Sequence, residues 1–245
     1  MTARRSSPLV LALEAATADL SVALLRGEDL VDEVSASAGP AAETLLPAVD
    51  TLLERAGVAL GELEAFAISI GPGSFTSLRV GIATVKGLAF DTGLPIAPVS
   101  TLAALARAAG PTDRLVVPML DARRGEVYAA AYAAGPRRQV VLPEGVYTPE
   151  ALCARIRPPC LLVGEGATIC GEVVAAALGE GVALLPPPEG SASARHVGAL
   201  GVERLASGRW VRAAQLVPHY LRRAEAEVQR TGERFEPAPR PPKPM

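Results

Sequence analysis

Two kinds of residue in this chain could do chemistry: a glycine turn and a pair of acids. The turn is Gly71-Pro72-Gly73-Ser74-Phe75-Thr76, set between an apolar run and a helix-like run of small residues. Such a turn can cradle a phosphate, seat a nucleophile or serve as a packing surface. A phosphate loop of the form G-x-x-x-x-G-K-[ST] needs a lysine beside the second glycine, whereas Lys86 lies a full helix away from Gly73. The dinucleotide pattern G-x-G-x-x-G is met at Gly71 and Gly73 but has Thr76 in third place. A nucleophile elbow around Ser74 needs glycines two residues to either side, and those places hold Pro72 and Thr76. What remains is a sharp strand-to-helix turn in which Ser74 or Thr76 caps free backbone N–H groups, a helix start that could also hold an anion.

The acids are Glu14 and Asp121. Each closes an apolar run and precedes a tight turn, "LVLALEAATADLSVALL" in one case and "LVVPMLDARRGEVYAAAY" in the other. Facing each other across a cleft, with Arg123 and Gly164 nearby, they would form a weak ligand site able to hold a cation and a phosphate. The plainer expectation is that each acid caps its own turn. The histidines are His196 and His219, far apart in sequence, so a histidine-bound catalytic metal has no visible ligand set.

The elements that must position these residues come in two similar series. Three short strands, "LVLAL", "LSVALL" and "LVDEVS", read as an antiparallel meander. A helix in "AAETLLPAVDTLLERAG" follows, with Leu45, Leu46, Val49, Leu52 and Leu53 on one face at helical spacing and Arg55 and Gly57 as end signals. Pro47 inside it predicts a kink or the true first turn. Then come a strand to Ile70, the glycine turn, a helix from Thr76 to Phe90 and a short strand ending at Ser100. From Leu115 the series restarts: hairpin, "PRRQVVLPEGVYT", a helix-like "PEALCARI", strand "CLLVG", the Gly164-Glu165-Gly166 turn and an Ala-rich helix. Two related lobes of this kind predict an α/β protein with an actin-like (ASKHA, ribonuclease H-like) fold and a cleft between lobes. The division expected is 1–103, 104–217 and a C-terminal segment with a proline-rich tail, 218–245.

Within the helix after the glycine turn, Leu78, Ile82, Val85 and Leu88 or Ala89 form one stripe, while Gly81, Ala83, Thr84 and Gly87 keep the remaining surface small. Interior glycines cost a helix about 1 kcal/mol each relative to alanine, so close packing, internal or with a partner, must compensate.

The 245 residues carry a formal charge of −2, which provides no broad attraction to nucleic acid. The hydrophobic fraction of 49% with only 4% aromatic residues predicts cores of Ala, Val, Leu and Ile. Three widely spaced cysteines fit neither a disulfide frame nor a zinc site, and Glu14 interrupts the first apolar run. The expectation is a reduced, cytoplasmic chain without signal peptide or membrane span.

Taken together, "GPGSFTSLRVGIATVKGLAF", "PVSTLAALA", "DARRGEVYAAAY", "LLVGEGA" and "VPHYLRRAEAE" resemble the bacterial TsaB (YeaZ) family, and the likeness runs over nearly all of Leu9 to Glu227. The resemblance implies a non-catalytic, cofactor-free and metal-free role in making threonylcarbamoyladenosine in transfer RNA. It implies pairing with a TsaD-like catalytic paralogue and a TsaE-like ATPase, a homodimer when the partner is absent, and contact with tRNA through the complex alone. Carried onto this chain, the partner face comprises Glu43, Leu46, Pro47 and Asp50 on the first helix and Phe75, Thr76, Arg79, Ile82, Ala83 and Lys86 on the second. The sequence departs from the family pattern at Glu14-Ala15, where Asp-Thr is common, at Ser77, usually glycine, and at Ala41-Ala42, usually His-Ser. The first departure weakens nucleotide binding in the chain's own cleft; the others fall on the partner face. The alternative is a small-molecule kinase or ATPase using the cleft.

Overall fold

The structure, a computed structural model, describes residues 7–35, 39–90, 92–135 and 139–222. The proline-rich tail expected after Phe235 lies outside the described residues.

Strands β1 (Leu9–Glu14), β2 (Ser21–Arg26) and β3 (Asp29–Ser35) form the predicted meander. Helix α1 (Ala41–Ala56), β4 (Ala65–Ser69), α2 (Phe75–Leu88) and β5 (Ile96–Val99) complete a sheet of order β3-β2-β1-β4-β5, with β4 and β5 joined in parallel. Helix α3 (Thr101–Ala108) leads into the second series: β6 (Leu115–Asp121), β7 (Val127–Tyr132), β8 (Val140–Tyr147), α4 (Pro149–Cys153), β9 (Cys160–Val163), α5 (Glu165–Leu178), β10 (Val182–Leu185) and α6 (Ala194–Ala206). The second sheet, β8-β7-β6-β9-β10, repeats the order of the first, so the internal repeat read from the two hairpins is structural. Glu14 and Asp121 are the last residues of the equivalent strands β1 and β6.

Central strand β1 shows why the layers assemble as they do. Its alternate residues Leu9, Leu11 and Leu13 join Phe66 and Ile68 in a bulky face that receives α1 and α2. Val10 and Ala12, with Ala23, Ala67 and Ala97, make a smooth opposite face that receives α6. A Cβ on Gly201 of α6 would collide with the Ala67 methyl, so the helix backbone lies almost on the sheet. The two faces follow from the period-2 alternation of a strand, with side-chain size setting how close each helix comes.

Helix α6 ends the second series but packs on the first sheet, while α3 ends the first series and packs on the second, where Leu102, Leu105 and Ala106 meet Val116 and Leu120. The two helices touch each other between the sheets. Each packing unit is therefore discontinuous in sequence. Strand β10, a four-residue run between Gly181 and Pro186, has no counterpart in the elements read from sequence. Cys160 and Cys170 are buried in the second core, where burial pushes their thiols up. Among the described residues no helix is long and apolar enough to cross a membrane.

Candidate functional site

The glycine turn is a junction of backbones. Ile70 N donates to Val99 O at 2.8 Å, Ile70 O accepts from His219 N at 2.7 Å, and Gly71 O accepts from Thr101 N at 2.9 Å. A Cβ on Gly71 would lie 2.6 Å from the His219 carbonyl oxygen, and one on Gly73 would strike the Ala16 carbonyl. Both glycines also have positive φ, 116° and 159°. The Ser74 N–H donates to Ala16 O at 2.7 Å and is closed to an anion at the helix start. The Ser74 hydroxyl accepts from Ser77 N at 3.5 Å and meets the Ser77 hydroxyl at 3.1 Å. Of the three roles open to this turn, the geometry is that of packing with an N-cap.

The carboxylates cap their own turns. Glu14 has 0% exposure; its Oε1 accepts from Ala16 N at 2.7 Å and Thr17 N at 3.2 Å, while buried Oε2 has no partner among the described residues. Burial pushes its pKa up to about 7 against these hydrogen bonds. Asp121 Oδ1 accepts from Arg123 N at 2.6 Å and Oδ2 lies 3.0 Å from Arg123 Nη1. The four residues proposed as a cleft site are not gathered into one cavity. Asp121 and Arg123 line an interlobe cavity of about 540 Å³ with Ser74, Ser77, Tyr128 and Glu165. Gly164 lines a separate cavity of about 30 Å³ and packs against Leu105 and the Met119 carbonyl. Glu14 lines neither. Among the described residues, no group of three or more His, Cys, Asp or Glu is placed to hold a metal ion.

Helices α1 and α2 lie side by side over the bulky face of the first sheet and turn their other sides to solvent. Glu43, Leu46, Pro47 and Asp50 are exposed on α1, as are Thr76, Arg79 and Ala83 on α2, with Phe75 and Lys86 half-buried. Two expectations need correction. Leu46 is 47% exposed and does not belong to the buried stripe, which runs through Leu45, Ala48, Val49, Leu52 and Leu53. Ile82 is 7% exposed and packs with Val85 against the sheet, because the i, i+4, i+7 stripe from Leu78 is the core-facing one. It is therefore not available to a partner. Pro47 lies inside α1 and not in its first turn, so the Glu43 carbonyl lacks its usual intrahelical donor on the solvent side. The two interior glycines of α2 differ. A Cβ on Gly81 would sit 2.7 Å from the Ala15 methyl, whereas one on Gly87 would meet nothing within 4 Å.

Sequence reasoning missed the strap after α6. Val211 pairs with Ile96 at the edge of the first sheet, Leu216 enters the first core, and His219 Nε2 comes within 3.2 Å of Glu144 Oε2 on β8. The Ser100 hydroxyl donates to the same carboxylate. Arg222 donates to the Ala122 carbonyl and the Glu126 carboxylate on the second-lobe hairpin. Tyr220 stacks on Phe75 with centroids 4.8 Å apart, and Arg79 lies 3.9 Å over the Phe75 ring while its Nε donates to Tyr220 Oη at 3.0 Å. The signal was the apolar-basic run "VPHYLRR", which has neither helical nor strand period.

Residues 37–229 match the family model described as TsaD, tRNA N6-adenosine threonylcarbamoyltransferase. The chain is 31% identical over 226 residues to the tRNA threonylcarbamoyladenosine biosynthesis protein TsaB of Bacillus subtilis, covering 90% of this chain and 96% of that protein. Its identity to the Escherichia coli TsaB is also 31%, over 87% of this chain and 94% of the relative. The solved structure of YeaZ from Pseudomonas aeruginosa superposes with a TM-score of 0.75 at 33% identity, covering 87% of this chain and all of that one. Overall likeness to these proteins along almost the whole chain, joined to a duplicated sheet with exchanged helices, establishes an actin-like α/β fold and places the chain in the TsaB (YeaZ) family of tRNA threonylcarbamoyladenosine biosynthesis proteins.

Proposed function

We propose that this protein is a non-catalytic scaffold and activator in the synthesis of N6-threonylcarbamoyladenosine in tRNA. It pairs through α1 and α2 with a TsaD-like catalytic paralogue, works with a TsaE-like ATPase, forms a homodimer when that partner is absent, and acts in the cytoplasm. The observation that carries this reading is the solvent face of the two helices. Leu46 and Phe90 are 47% and 82% exposed, and on α2 the exposed Ala83 and Gly87 leave room for another helix to approach. Exposed large apolar side chains beside small ones are the composition of a helix-packing interface. The glycine turn supports the non-catalytic part, since Gly71 and Gly73 are packed against the His219 and Ala16 carbonyls and the latter takes the Ser74 N–H.

The test is reconstitution with the catalytic and ATPase subunits of the same organism, scoring threonylcarbamoyladenosine in unmodified tRNA by mass spectrometry. Modification should require this chain and fail with Leu46→Asp, which should also abolish co-elution with the catalytic subunit. Equal modification without the chain would refute the proposal.

A further inference from the structure

Beside the glycine turn, where the strap crosses from one lobe to the other, lies a cavity of about 210 Å³. Arg123, Arg124 and Arg222 line it together with Phe75, Tyr128, Tyr220 and His219, and among the described residues no carboxylate lines it. This composition is unlike the rest of a chain that carries a net charge of −2 and 4% aromatic residues. All three arginines have partners within the chain. Asp121 grips Arg123 through both its backbone N–H and its side chain, and Glu126 with the Ala122 carbonyl holds Arg222. Arg222 Nε, buried on this wall, has no hydrogen-bond partner among the described residues. Arg123 and Arg124 both adopt left-handed backbone, φ 64° and 60°, a conformation that costs a non-glycine residue and that aims successive side chains from one tight turn. The Arg123 side chain is 86% exposed despite its ion pair.

Planar rings beside forked cations are what a nucleoside phosphate requires, a π-face for the base and donors for the phosphate oxygens; Phe75 is already engaged by Tyr220 and Arg79, so Tyr128 and Tyr220 are the rings offered to a base. We infer that this cavity is a binding site for a nucleoside phosphate, presented as an unpaired nucleotide of the tRNA, so that the chain touches the RNA directly within the assembly. The inference rests on the reading that the chain works in a tRNA-modifying complex. A free nucleotide offers the same chemistry. The neighbouring carboxylates Asp121 and Glu165 line the adjoining larger cavity, and they confine an anion to the arginine side.

The test uses the full chain and the reconstituted complex, with an unmodified tRNA transcript and 5′-AMP as probes. Arg123→Asn and Arg124→Asn are combined, because asparagine tolerates left-handed backbone best after glycine; Arg26→Asn is the control. In the complex, the double variant should raise KM for tRNA by about 10-fold or more with kcat unchanged. It should also flatten the dependence of log affinity on log salt by roughly 0.7 per lost contact. A thermal melt and co-elution with the catalytic subunit, both as in wild type, separate this from misfolding or lost assembly. Displacement of tRNA by millimolar AMP from the isolated wild-type chain would identify the free nucleotide as an acceptable source; arginine-dependent tRNA binding that AMP does not displace would identify the RNA strand. Unchanged KM and salt slope, with no arginine-dependent binding of either probe, would overturn the inference while leaving the scaffold role standing. If modification proceeds without this chain, the scaffold role falls, and the binding arm with the isolated chain still decides the cavity.

Discussion

Glu14 gives a quantitative prediction, because its carboxyl is enclosed and its burial opposes ionisation. The folded chain holds its pKa at about 7, against an ordinary value of 4.5. Between those values the folded state retains a proton that the unfolded state has released, so stability falls as pH rises through the window and stays lower above it. Each pH unit costs about 1.4 kcal/mol, and the whole window about 3 kcal/mol. Glu14→Gln removes the titration while keeping an oxygen that can accept from Ala16 N and Thr17 N. The amide nitrogen then takes the place of Oε2, which has no partner among the described residues to lose. Stability measured by urea denaturation, followed by far-UV circular dichroism, should show the variant gaining on wild type from about pH 4.5 upward. By about pH 8.5 the gain should reach about 3 kcal/mol relative to its value at about pH 4, or roughly 6–12 °C in melting temperature for a chain of this size. A difference between the two proteins that does not change with pH would refute the reasoning, since any packing effect of the substitution would be pH-independent.

Further outcomes follow from the same geometry. Val85→Asp places an unpaired charge in the first core and should unfold the protein, whereas Ala83→Asp, two residues away on the solvent face, should leave the melt within about 0.5 kcal/mol of wild type yet abolish co-elution with the catalytic subunit. Gly81→Ala should destabilise by about 1–3 kcal/mol because its methyl meets Ala15, while Gly87→Ala should stabilise the isolated chain by up to about 1 kcal/mol and weaken pairing with the partner, as paired melts and pull-downs would show. Glu144→Ala leaves the Ser100 hydroxyl and His219 without their shared acceptor; chemical denaturation should show a loss of about 1–3 kcal/mol, and protease cleavage near the strap should quicken.

Much of the fold was legible in the chain itself. The alternation Leu9-Val10-Leu11-Ala12-Leu13 determines both faces of β1, and the match between its hairpin and that of β6 revealed the duplication, because strand period and turn chemistry are local properties. The end of α1 was equally readable: Gly57 takes the left-handed conformation that closes the helix after its apolar run. Helical spacing also separated the core stripe of α2 from its small-residue face, but it could not assign each face to sheet or solvent. Leu46 was therefore grouped with the buried stripe of α1 as well as with the partner face, and Ile82 was given to the partner face although it is buried, since a helix of this composition is apolar over more than one stripe. The tertiary structure alone decided three things. The Ala16 carbonyl takes the Ser74 N–H at the start of α2, α3 and α6 exchange sheets, and a strap about a hundred residues or more away in sequence brings Tyr220, His219 and Arg222 to the glycine turn and the second hairpin. Each depends on contacts between segments with no periodic relation, where the energy comes from the approach of particular backbones and rings and not from any pattern along the chain.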